Sequence, residues 1–175
     1  STPEKLRAEF AIDVRTEHEV VGINREAKEV EVREVRTSRV YRQPYDRLIL
    51  SPGAKPIVPR IPGADLRGVY TLRSMRDMDA IKAPLDDGRV RRALVVGGGF
   101  IGLEMAENLK ERGVEVTLAE MLPQVMAPLD FEMAAMLHRE LRERGVRLGL
   151  GDALRAIAPA GEGRLRATLA SGTTI

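Results

Sequence analysis

Apolar positions in the first fifty residues come in short, separate bursts. Leu6 and Phe10 stand four apart, a helical spacing. Thr2, Pro3 and Glu4 precede them as a capping hydroxyl, a proline at the first helical position and a first-turn acid. A helix through about Phe10 is predicted. Three strand-like runs follow: 19–23, then 29–35, where Val30, Val32 and Val35 are separated by charged residues, then 39–42. With a turn at Asn24, Arg25 and Glu26, they predict an antiparallel meander with one solvated face. Residues 45–50 end on Leu48, Ile49 and Leu50 and read as a buried strand closed by a Pro52–Gly53 turn. Pro52, Pro56, Pro59 and Pro62 then make the chain stiff and extended.

From Ser74 the period changes. Met75, Met78, Ile81 and Leu85 form a helical stripe over 74–85, and their methionines read as core packing. After a turn at Asp86, Asp87 and Gly88, the apolar run Leu94–Val96 enters three glycines, and a second stripe follows at Ile101, Met105, Ala106 and Leu109. Gly113 stops that helix. A strand over 115–120 alternates through Val114, Val116 and Leu118. A helix over 130–144 begins at Asp130, shows Met133, Met136, Leu137 and Leu141 on one face, and stops at Gly145; a third strand begins at Val146. The order β-α-β-α-β predicts a parallel sheet with right-handed crossovers. Residues 153–158 and 164–170 read as a closing antiparallel hairpin. Residues 109–114 and 141–146 echo each other as two equivalent helix-to-strand turns.

Composition removes several kinds of chemistry. With no cysteine there is no disulfide, thiol nucleophile or thiolate metal site in the chain. His18 and His138 are the only imidazoles, without metal-ligand spacing, and are expected at the surface. No metal site is expected. Net charge is only +2 and aromatics are 3%, with acids and bases interspersed, so nucleic acid is not an expected partner. No apolar run reaches the roughly 18 residues of a membrane span, and a cytoplasmic protein is the expectation.

The glycines carry the chemistry. Gly97, Gly99 and Gly102 follow a strand and open a helix, the context of a dinucleotide fingerprint. Gly97 can make the turn, Gly99 admits a pyrophosphate to the backbone, Gly102 lets helix and strand pack closely, and the helix N-terminus favours an anion. Glu120, ending the next strand 18 residues beyond Gly102, stands where an acid accepts the ribose hydroxyls of NAD and repels a 2′-phosphate. A tight turn without ligand is the competing reading. Glu104 reads either as an acid favoured by the helix dipole in the first turn or as a group facing the nicotinamide.

Residues 95–109 resemble the NAD(H)-binding domain of the pyridine nucleotide–disulfide oxidoreductases, and residues 45–56 are similar to the end of their FAD domain. With residues 61–63 and 71–81, the resemblance points to the coenzyme A–disulfide reductase and NADH oxidase branch. The implied fold is α/β: a Rossmann-like parallel βαβαβ half preceded by an antiparallel meander from a partial FAD domain. The implied division is 1–62 partial FAD domain, 63–90 linker and connecting helix, and 91–175 NAD(H)-binding domain. By position, Gly97, Gly99, Phe100, Ile101 and Gly102 would hold the NAD pyrophosphate, with Glu120 on the adenosine ribose, Met121 beside the adenine and Glu104 near the nicotinamide. Glu19 and Val20, with Ser51, Pro52 and Gly53, would border the FAD adenosine. The implied activity is hydride flow from NADH to flavin, then electrons to a disulfide or oxygen acceptor.

The family's FAD fingerprint, redox cysteine and C-terminal dimerisation domain have no counterpart here. The chain is therefore expected to be an internal piece of a homodimeric flavoenzyme, binding NAD(H) without turnover. A non-catalytic NAD-binding module is the alternative.

Overall fold

The computed structural model describes residues 2–175. The chain divides into two compact units, Ser1–Gly53 and Ala54–Ile175. Among the described residues no helix is long and apolar enough to cross a membrane.

In the first unit, α1 (Pro3–Phe10) starts at Thr2, whose hydroxyl accepts from the Lys5 amide, and ends at Ala11 in a left-handed conformation. Strands β1 (His18–Asn24), β2 (Glu29–Glu34) and β3 (Val40–Pro44) form the antiparallel sheet β1-β2-β3. Opposed pairs are Val20–Val32 and Ile23–Val30 on one side and Val32–Tyr41 on the other, with a bulge between Val20 and Gly22. Among the described residues of this unit only Val30 and Val32 are buried, and Val35 lies beyond the end of β2 and is exposed. The strand expected over 45–50 is absent: Leu48, Ile49 and Leu50 are exposed. The β2–β3 ladder ends at Pro44, and only the Tyr45 amide continues towards Lys28. An apolar run becomes a buried strand only when a neighbour satisfies its backbone.

In the second unit, α2 (Met75–Asp86) opens with a reciprocal Ser74–Asp77 capping box. Its expected apolar stripe is divided. Leu85 packs against the core, whereas Met75 and Met78 are exposed. Strands β4 (Arg92–Val96), β5 (Glu115–Glu120) and β6 (Arg147–Leu150) form the parallel sheet β4-β5-β6. They alternate with α3 (Phe100–Glu111) and α4 (Phe131–Glu143). The expected βαβαβ order is therefore present. Gly113 and Gly145, both at positive φ, follow the two helix ends. The core joins Ala106 and Leu109 of α3 and Leu141 of α4 to Val116, Leu118, Val125 and Val146. The buried face of α4 is Ala134, His138 and Leu141; Met133 and Met136, expected there, are exposed. Ile101 leaves the α3 stripe in the same way, because it sits in the open first turn. Strands β7 (Leu154–Pro159) and β8 (Leu165–Leu169) form the closing hairpin.

Candidate functional site

The site is the junction of β4, α3 and the end of β5. The Gly97 amide donates to the Ala119 carbonyl at 2.8 Å, adding one rung to the β4–β5 ladder. Gly97 then turns the chain at φ 104°, a conformation that side chains rarely adopt. The Gly98 amide donates to Glu120 Oε2 at 2.6 Å, while its carbonyl accepts from the Met126 amide at 2.8 Å. Gly99 is the N-cap of α3 and offers no side-chain cap. The first backbone bond of the helix runs from Leu103 to Gly99, so the Phe100, Ile101 and Gly102 amides have no partner among the described residues.

Space explains the rest of the glycine pattern. A Cβ on Gly102 would lie 1.9 Å from the Gly97 carbonyl oxygen, so the helix can cross the turn only with glycine there. A Cβ on Gly98 would lie 2.8 Å from Val125 Cγ1. At Gly97 and Gly99 it would meet nothing within 4 Å among the described residues. Unpaired amides at a helix N-terminus, facing open space over two glycines, fit a diphosphate.

Glu120 is half-buried and ties the site together. Oε2 takes the Gly98 amide, and Oε1 takes the Leu122 amide at 2.8 Å. Each carboxylate oxygen retains acceptor capacity for a hydroxyl. Met121 beside it is 68% exposed, and Phe100 and Ile101 are exposed on the first turn of α3. Glu104 is also exposed, but α3 starts at Phe100, which puts Glu104 in the second turn. The first turn holds no acid, so the dipole does not explain this carboxylate.

The residues matched to a flavin adenosine are less organised. Glu19 pairs with Arg33 at 2.5 Å across β1 and β2. Val20 borders a depression of about 360 Å³, but Arg15 there is already bonded to Asp13, Tyr41 and Gln43. Ser51, Pro52 and Gly53 are exposed and outside regular structure. These residues do not by themselves make a site that fits FAD.

Four participants were not read from the sequence. Gly98 has no role in the sequence reading, although a third glycine in an unbroken run was its signal. Val125 and Met126 carried no signal. His138, expected at the surface, is buried, and its Nε2 accepts from the Val125 amide at 3.1 Å. Burial first, then the Arg142 charge, lowers its pKa below the ordinary 6.5. His18 is half-buried, its ring edge-on to Tyr41.

The family described as pyridine nucleotide-disulphide oxidoreductase matches residues 3–175. An NADH oxidase of Methanocaldococcus jannaschii is 36% identical over 157 residues, covering 89% of this chain and 35% of that protein. A coenzyme A disulfide reductase of Staphylococcus haemolyticus is 39% identical over 145 residues, covering 83% and 32%. The crystal structure of reduced Bacillus anthracis CoADR-RHD superposes with a TM-score of 0.89 at 47% identity, over 100% of this chain and 31% of that one. The chain spans about a third of the length of the curated relatives it matches.

Proposed function

The chain belongs to the pyridine nucleotide-disulphide oxidoreductase family, and from that premise we propose that residues 91–175 bind NADH in a longer FAD-linked oxidoreductase. The observation that carries the reading is the uncapped α3 N-terminus, with open space over Gly97 and Gly99. The Phe100, Ile101 and Gly102 amides hold the pyrophosphate. Glu120 accepts the adenosine ribose hydroxyls while its other bonds hold Gly98 and Leu122 in place. Met121 lies beside the adenine and Glu104 near the nicotinamide.

For the complete protein we propose reduction of a disulfide or of oxygen at the expense of NADH, in a cytoplasmic homodimer. Residues 1–62 would contribute part of the FAD domain, Glu19, Val20, Ser51, Pro52 and Gly53 bordering its adenosine, and 63–90 the connection. A bound flavin would supply hydride acceptance. Lacking a complete flavin site and any thiol, the chain of 175 residues binds NADH without turnover.

Glu120→Arg tests the assignment. Calorimetric titration should show NADH binding weakened by about 1.5–3 kcal/mol and NADPH binding improved, because a charge-assisted acceptor is lost and a phosphate partner gained. Unchanged affinity for both nucleotides removes Glu120 from the ribose site.

A further inference from the structure

We propose that His138 is a positioning residue for the glycine turn: its neutral ring on α4 holds residues 125–126 against Gly98 and so sets the Gly98 peptide and Glu120. This rests on the reading of Gly97–Gly102 as a nucleotide site.

The buried face of α4 is otherwise Ala134 and Leu141, and packing alone would be served by an apolar residue at 138. A buried imidazole requires a partner. Its partner is the Val125 amide, in the connection between β5 and α4, where no sheet ladder holds the backbone. Val125 is fully buried, with its side chain directly over Gly98. The next residue, Met126, adopts φ 49°, an uncommon conformation for a side chain of its kind, and donates its amide to the Gly98 carbonyl. On the other side of the same residue, the Gly98 amide donates to Glu120. Gly98 is thus held from two directions, by the loop that His138 secures and by the carboxylate assigned to the ribose. Accepting at Nε2 puts the ring proton on Nδ1. His138 sits behind this loop on α4, so its effect on the nucleotide passes through Val125 and Met126.

The test compares the 175-residue chain with His138→Gln, whose side-chain carbonyl can accept in place of Nε2, and with His138→Leu, which cannot accept. Three quantities are read: the imidazole tautomer from ¹⁵N shifts, amide exchange at Gly98, Val125 and Met126, and NADH affinity. The wild type should show the Nδ1–H tautomer. His138→Leu should speed exchange at Val125 and Met126 and weaken NADH, each by about ten-fold, as expected for an orphaned buried donor. His138→Gln should restore both towards wild type. If His138→Leu does not fold, His138→Asn replaces it, withdrawing the acceptor with a shorter polar side chain. An Nε2–H tautomer overturns the proposal. So does a folded Leu or Asn variant with wild-type exchange and affinity, or a Gln variant that restores neither. If the wild type fails to bind NADH, the nucleotide reading falls, and tautomer and exchange alone decide the role of His138.

Discussion

The two units are held by different physics. Among the described residues of Ser1–Gly53 only Val30 and Val32 are buried, while Val20, Val21, Ile23 and Val40 keep two-fifths or more of their surface. That sheet is stitched on its polar side by exposed pairs such as Glu19–Arg33 and Glu17–Arg36. Such pairs contribute about 0–1 kcal/mol each. In Ala54–Ile175 the core runs through both α3 and α4 and fully buries Leu118, Val116 and Val125. The glycine turn is mounted on this second core. Val125 and Gly102 are parts of the packing and parts of the site at once, which is how a backbone turn can be held in one shape.

The largest way to break this contrast is Leu118→Ala. It should destabilise the second unit by about 2–5 kcal/mol, read from thermal or urea unfolding. Val32→Ala should cost about 2 kcal/mol, with faster amide exchange confined to residues 18–44. Equal effects of the two substitutions on both units would erase the distinction.

Gly102→Ala comes next. Its Cβ would collide with the Gly97 carbonyl, and backbone must move, so about 1–3 kcal/mol of stability should go together with NADH binding. Retained NADH affinity would mean that close approach of α3 to the turn is not required.

The pH effect is smaller and carries a definite sign. His138 is held neutral by burial, its pKa lower than in the unfolded chain. The unfolded chain therefore binds a proton that the folded one refuses. Stability attributable to this residue is intact above pH 6.5 and is lost as pH falls from there towards the folded pKa. Unfolding midpoints at pH 7.5 and 5.5 should differ more for wild type than for His138→Gln. An identical difference would show that His138 does not carry it.

Local rules accounted for most of the fold. Thr2 and Pro3 marked the start of α1, Gly113 and Gly145 the ends of α3 and α4, and alternation through Val116 and Leu118 marked β5. What could not be read was which member of an apolar stripe faces inward. Met133 and Met136 look as apolar as Leu141, yet the small Ala134 and the polar His138 occupy the inner face. That choice depends on the neighbouring loop. Residues 48–50 failed for a related reason: their pattern describes a buried strand, but burial needs a partner that periodicity does not name. At the site, the turn at Gly97 and the close packing at Gly102 were legible because each answers to a local constraint. The bonds from Met126 to Gly98 and from Val125 to His138 join distant segments, and no short pattern encodes them.

The most direct test is an NMR titration of the chain with NADH, with ADP-ribose and NADPH as controls, following backbone amides. NADH and ADP-ribose should shift the Phe100, Ile101, Gly102 and Leu122 amides, NADPH should do so more weakly, and residues 18–44 should stay unmoved. Shifts confined to residues 18–44, or none at the N-terminus of α3, would contradict the nucleotide assignment.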